Sequence, residues 1–312
     1  MSAPTVDPVE RPPTALRRDT RPAMRRERRA ALGFLAPNLL GFTVFTIVPI
    51  GASLVLAFYE WPLLGERVFV GLDNVVRMLT TDPVFWQIVG NTFYFVVGYV
   101  ALNLLVSFSL ALWLQSRVRF KGFYRFVFFL PVVSPMVANA MVWRMLYQRD
   151  DGLIAQLFQA LTGTSGPNWL GDARWAMPAV ILMSLWAGFG YNMIILVAGL
   201  QAIPASMTEA AQIDGAGWWS RLAHVTLPLV TPSLFFATVM TVISSLQVFA
   251  QPFILTGGGP GIATSTLVFY LYQWGFQSYE MGYASAIAWF LFMLIMTITF
   301  IQFRGQKKWV HY

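Results

Sequence analysis

The sequence predicts an all-α integral membrane protein with six transmembrane helices. Three observations predict it. The first is composition: 57% of the 312 residues are hydrophobic and only 11% are charged, where a soluble domain carries about 25% charge. The second is segmentation. Six windows, 30–59, 83–116, 126–143, 175–208, 222–279 and 281–303, contain no Asp, Glu, Lys or Arg, and roughly 20 apolar residues cross a bilayer core of about 30 Å. The third is the placement of basic residues. With the N-terminus inside, sixteen of the 21 Lys and Arg fall on the inner side, and only Arg67, Arg77, Arg144, Arg149 and Arg174 fall outside. That bias predicts an N-in, C-in topology.

The elements follow in order. Residues 1–29 form a Pro- and Arg-rich inner tail expected to be disordered. Its charge reads as a topology signal that also attracts anionic lipid, not nucleic acid. The run 30–59 is too long for a signal-peptide core and lacks a small-residue cleavage site, so it predicts an uncleaved first span, 34–59. An outer segment, 60–85, leads to span two, 86–114, and a short inner turn, 115–123, to span three, 124–146. Pro131 and Pro135 are expected to loosen span three, and Gly188 and Gly190 span four, 175–200. The uncharged stretch 152–171 has an apolar core of only 153–161, bounded by Gln, Gly, Pro and Asn, and predicts an interfacial or loop helix. Span five covers 229–255, a glycine-rich outer loop 256–280, and span six 283–303. The domain organisation is thus a tail (1–29), a first span with its outer loop (30–85), a core of five helices (86–303) with an inner loop at 201–228, and a tail (304–312). No internal repeat is visible.

Several chemistries are excluded. There is no cysteine, hence no disulfide, thiol nucleophile or zinc–thiolate site. No G-x-x-x-x-G-K-[ST] loop occurs, and none of the three lysines, Lys121, Lys307 and Lys308, follows a glycine. The two histidines, His224 and His311, are isolated. No catalytic residue, metal or cofactor is expected in this chain. No ionisable residue sits mid-span to relay protons or ions.

The most structured polar segment is 203–232. It carries Glu209, Asp214 and Arg221, whose burial in lipid would cost about 8 kcal/mol or more, so it must lie outside the lipid on the inner side. Ser206 and Glu209 have capping-box spacing. Ala210 to Ile213 continue a helix that Gly215 can end in the left-handed conformation. Residues 218–224 suit a second short helix, and Leu227-Pro228 is expected to turn the chain into span five.

Glu209-Ala210-Ala211, then Gly215, then Val225-Thr226-Leu227-Pro228 resembles the EAA loop of ABC-importer permeases. Asp214-Gly215-Ala216, Gly71-Leu72-Asp73-Asn74, Thr256-Gly257-Gly258-Gly259-Pro260 and Trp309-Val310-His311-Tyr312 resemble the carbohydrate-uptake branch, which includes maltose- and glycerol-phosphate-type permeases. The resemblance covers two-thirds of the chain or more. It implies a type I ABC importer permease fold in a prokaryotic inner or plasma membrane. It also implies partners: a second homologous permease, two copies of a cytoplasmic ATPase that holds ATP and Mg, and an extracytoplasmic solute-binding protein. The loop would be a coupling helix in a groove of the ATPase. Glu209, Ala210, Ala211, Asp214, Gly215, Leu227 and Pro228 would couple the two, with Glu209 and Gly215 foremost.

An alternating-access importer needs polar groups lining a cavity at mid-membrane. Candidates are Ser134, Asn139, Tyr191, Asn192, Ser244, Ser245, Gln247 and Gln251, all uncharged, which suits a neutral polyol. Resemblance to a maltose-importing relative adds Gly188 and Thr241 and repeats Tyr191, Ser244 and Ser245. The turn at Gly257, Gly258, Gly259 and Pro260 is the candidate docking point for the binding protein. The alternative is an ATP-independent secondary transporter or channel for a small polar solute, and a membrane enzyme is a third reading.

Overall fold

The computed structural model describes residues 21–61, 65–116, 118–164 and 166–307. The Trp309–Tyr312 motif, Lys308, Arg117 and the first 20 residues lie outside these. The chain divides into two units, Met1–Ser53 and Leu54–Tyr312. The first holds helix α1 (Arg21–Phe42) and a single π turn, Thr43–Ile47, that leads to α2 (Val48–Leu56). Disorder over 1–29 is therefore corrected for residues 21–29, which extend the apolar helix. Arginine is a good helix former, and Pro22 sits in the first turn, where a missing N–H costs nothing. No described side chain of 30–56 is buried. An apolar helix with all faces open has a hydrocarbon surround or a partner, not water.

The second unit opens with a small antiparallel hairpin, β1 (Tyr59–Glu60) against β2 (Val68–Phe69). A four-residue helix, α3 (Asp73–Val76), continues as a π turn, Arg77–Thr81. Then come α4 (Phe85–Gln115), α5 (Lys121–Val133), α6 (Met136–Leu146), α7 (Leu153–Thr162) and α8 (Ala173–Gln201). They are followed by α9 (Ala205–Ile213), α10 (Trp218–Arg221), α11 (Leu227–Leu246), α12 (Ala250–Leu255), α13 (Leu267–Tyr272) and α14 (Met281–Gln306). Five helical runs are long and apolar enough to cross a membrane, six if the bent pair α5–α6 is one span. The core is α4 on α8, flanked by α5 and α11. Leu114, Met193, Leu196, Leu200 and Val230 fill it near the α9 end, and Phe85, Ile88, Leu246, Tyr283 and Ile287 fill it at the opposite end.

Span three is broken, not merely loosened. The axis turns by 95° between α5 and α6, where Ser134 and Pro135 are extended. A residue before proline avoids the helical region. Asn139 Nδ2 donates to the Pro131 carbonyl at 3.0 Å, so this candidate pathway residue instead satisfies backbone freed by the break. In span four the expected loosening is absent: α8 is uninterrupted. A Cβ on Gly190 would lie 2.2 Å from the Phe128 carbonyl oxygen, and one on Gly188 would lie 2.3 Å from the Tyr99 hydroxyl. These glycines let α5 and α4 approach closely.

Span five also differs. Leu227-Pro228 does not turn the chain. The helix runs unbroken from Trp218 to Leu246, through a π turn at Leu222–Thr226. An interior proline clashes with the carbonyl four residues back, and the wider π turn just before it gives the Pro228 ring room. The helix stops at Leu246, short of the expected 255. Thr266 Oγ1 then donates to the Val248 carbonyl at 2.9 Å.

Candidate functional site

The segment 202–226 holds five of the seven predicted coupling residues, Glu209, Ala210, Ala211, Asp214 and Gly215. Helix α9 starts two residues earlier than the capping box requires. Pro204 is the N-cap and no side chain caps it, so Ser206 lies inside the helix and the predicted box is not formed. Proline supplies the fixed φ that starts the helix without needing a donor. The C-terminus is as expected: Gly215 has φ +76°. Its N–H bonds to Gln212 at 3.1 Å and that of Ala216 to Ala211 at 2.9 Å, the paired closure of a Schellman motif. Glu209 and Asp214 are exposed and form no ion pair with another described residue. Ile213 is 86% exposed, and Trp218 and Trp219, in edge contact at 4.4 Å, are also open to the surround. Leu227 and Pro228 stand apart from this knuckle, in the long helix.

Deep between α4, α8 and α11 lies a neutral polar network. Asn192, 3% exposed, donates through Nδ2 to Asn103 Oδ1 at 2.6 Å and Thr241 Oγ1 at 2.7 Å. Thr241 donates to the Ala237 carbonyl, Ser107 to that of Phe189, and Asn103 Nδ2 to the Tyr99 hydroxyl. Asn192 Oδ1 is buried with no hydrogen-bond partner among the described residues. The structure brings Gly188, Asn192 and Thr241 together here. Ser245 is buried and back-bonded to Val242. Tyr191, Ser244 and Gln247 are exposed on the outside of this network. Tyr99, Asn103 and Ser107 were missed. Their spacing of four along span two places them on one helix face, and that stripe was the available signal.

The end of the unit opposite α9 is tied by charge. The carboxylate of Asp82 accepts the N–H groups of Val84 at 3.0 Å and Phe85 at 3.2 Å, and the hydroxyls of Tyr270 at 2.5 Å and Tyr283. Burial alone would raise its pKa, but these four donors outweigh burial and hold it below the ordinary carboxyl value. Nearby, Arg77 pairs with Glu280 at 2.6 Å and lies over the rings of Trp274 and Tyr283. In the predicted docking turn Gly257 is exposed, Gly259 and Pro260 are half-buried and Gly258 is buried. Thr264 and Ser265 hold the turn by bonds to the carbonyls of Gly259 and Gly258, and Asn91 reaches the carbonyl of Ile262 at 2.7 Å.

A bundle of helices long enough to cross a membrane, with a neutral polar centre and an exposed helical knuckle at one end, has the parts of a membrane transport subunit. Residues 103–311 match the family of binding-protein-dependent transport system inner membrane components. The chain is 36% identical over 293 residues to the probable ABC transporter permease protein YesP of Bacillus subtilis, covering 93% of this chain and 94% of that protein. It is 35% identical over 280 residues to the lactose transport system permease protein LacF of Rhizobium radiobacter, covering 88% and 93%. A crystal structure of a bacterial ABC transporter that imports the acidic polysaccharide alginate has a chain with the same fold, at TM-score 0.81 and 20% identity, covering 92% and 99%. The chain belongs to the family of inner-membrane components of binding-protein-dependent transport systems. It is a multi-pass membrane transport subunit, not an enzyme, and a binding protein is its partner.

Proposed function

We propose that this chain is the permease subunit of an ATP-driven importer for an oligosaccharide or related polyol. The observation that carries the solute class is the Asn103–Asn192–Thr241 network with the unpartnered Asn192 Oδ1. Hydroxyl groups of a neutral sugar match amide and hydroxyl partners, and no carboxylate, ammonium or guanidinium takes part. A relative named for lactose transport supports the same class. Gly188, Tyr191, Asn192, Thr241, Ser244, Ser245 and Gln247 line the proposed path, with Tyr99 and Asn103 added from α4.

The α9 side is the cytoplasmic side in this reading. There Glu209, Ala210, Ala211, Asp214 and Gly215 seat in a separate ATPase, which holds ATP and Mg. Leu227 and Pro228 carry its movement into α11. Two ATPase copies and a second, similar permease complete the assembly. The binding protein docks at the opposite face, with Gly257, Gly259 and Pro260 of the predicted turn at its contact and the buried Gly258 beneath them. Closure of the ATPases on ATP draws the coupling helices together and opens the path to the docked binding protein. Hydrolysis resets it.

Uptake of labelled oligosaccharide by the complete transporter in vesicles tests this reading. Glu209→Ala removes a side chain that forms no ion pair with a described residue. It is expected to leave thermal stability unchanged and to abolish ATP-driven uptake. Wild-type uptake by that variant would remove the coupling role.

A further inference from the structure

Helix α7 (Leu153–Thr162) is too short to cross a membrane, and the transport reading leaves it without a role. Its side chains fall into three sectors. Ile154, Ala155 and Phe158 face inward: Ile154 packs on the cluster that holds Tyr147 and Met177, and Phe158 lies against Gly166. Leu153, Leu157 and Leu161 are exposed by 63%, 59% and 77%, and at 3.6 residues per turn they lie within about 80° of one another. Gln156 and Gln159 are also exposed and project roughly 100–160° from the centre of that leucine stripe.

Two further observations set what meets the leucines. Tyr147 joins Trp143 and Trp169 by ring contacts at 5.3 and 5.9 Å, and Trp169 touches Trp175 at 5.3 Å. Tryptophan and tyrosine concentrate at the level of the membrane–water boundary, and α7 packs on this aromatic chain. On α6, which α7 contacts, the apolar side chains of Met141 and Met145 are exposed as well. Arg149, Asp150 and Asp151 immediately precede the helix, and Asp172 and Arg174 stand at the start of α8, so the connections on both sides carry charge.

We propose that α7 lies in the boundary plane of the bilayer, with Leu153, Leu157 and Leu161 in the acyl chains and Gln156 and Gln159 toward water. An amphipathic helix held flat in this way fixes the depth of the α6–α8 connection. It anchors the bent span at the end where the binding protein approaches.

The absence of cysteine from this chain makes the test direct. Leu157→Cys, Leu161→Cys and Gln159→Cys are each labelled with a nitroxide in the complete transporter, its other subunits made cysteine-free, in phospholipid vesicles. Retained uptake verifies assembly. At positions 157 and 161, the ratio of collision with oxygen to collision with a water-soluble nickel chelate should exceed that at 159 several-fold. Equal nickel access at 157 and 159 would place the stripe in water. Exclusion of both reagents at 157 and 161 would place it under another protein subunit. Either result overturns the proposal.

Discussion

Replacing Asp82 by alanine removes one acceptor group from four donors at once. Two are the backbone N–H groups of Val84 and Phe85, which open α4, and two are the hydroxyls of Tyr270 and Tyr283, which belong to α13 and α14. A dry hydrogen bond to a charged acceptor contributes about 1.5–3 kcal/mol. Asp82 is half-exposed, so solvent screening reduces each bond to about 0.5–1 kcal/mol and the total to about 2–4 kcal/mol. For a unit of this size that lowers the melting temperature by roughly 5–12 °C. The assay is thermal unfolding in detergent, with Glu66→Ala, an exposed carboxylate without an ion pair among the described residues, as the control. The pH dependence has a definite sign. The pKa of Asp82 is depressed in the folded state, so its contribution is present above the ordinary carboxyl pKa of about 3.9 and disappears as pH falls through the folded value. The gap between wild type and Asp82→Ala should therefore be constant near neutrality and narrow only in acid. A melting temperature unchanged by the substitution at pH 7 would refute the reasoning, and so would a gap that widens on acidification.

Three other outcomes follow from the same geometry. Gly215→Ala forces a Cβ into the left-handed region at φ +76° and costs about 1–2 kcal/mol locally; vesicle uptake should fall, while Gly217→Ala, without a positive φ, should not change it. Gly190→Ala drives a methyl into a backbone carbonyl 2.2 Å away and should cost about 1–3 kcal/mol by overpacking, whereas Gly188→Ala meets only the movable tip of Tyr99 and should cost less in the same melting assay. Asn192→Leu strips Asn103 Oδ1 and Thr241 Oγ1 of their shared donor, at about 1–3 kcal/mol, and should reduce uptake more than binding of solute to the extracytoplasmic protein, which radiolabel assays on each separate.

Much of the fold was legible because lipid imposes a simple rule: a charge-free window of sufficient length is a span. That rule found α4, α8 and α14 to within about three residues. It misplaced the far end of span five because residues 247–255 are as free of charge as a helix, and only side chains remote in sequence, such as Thr266 reaching Val248, show that the backbone departs from it. Pro131 and Pro135 announced weakness in span three, but not a right-angled turn, since its direction depends on what α5 and α6 pack against. At the knuckle, the closure at Gly215 was local chemistry and was read correctly. The start was misread because Ser206 and Pro204 compete for one role and the proline holds it. The polar centre was half legible. Asn192 stood out as a polar residue in an apolar run and Thr241 came from the family resemblance, but their pairing with Asn103, 89 positions from Asn192, requires the relative rotation of two helices.

The unbroken run from Trp218 to Leu246 has a mechanical meaning. Its 29 residues at 1.5 Å each make a rod of about 43 Å. A lateral stroke of about 5 Å at the tryptophan end, roughly one helical pitch, tilts such a rod by only about 7°. Thr241 rides on the rod near its far end, and Asn192 and Asn103 do not. Pivoted at Leu246, that tilt carries Thr241, about 7.5 Å along the axis from the pivot, only about 1 Å relative to Asn192, so a stroke at the knuckle reaches the polar centre strongly reduced and without unwinding a single turn. The π turn at Leu222–Thr226, by keeping the rod whole past Pro228, turns a proline from a hinge into part of a shaft.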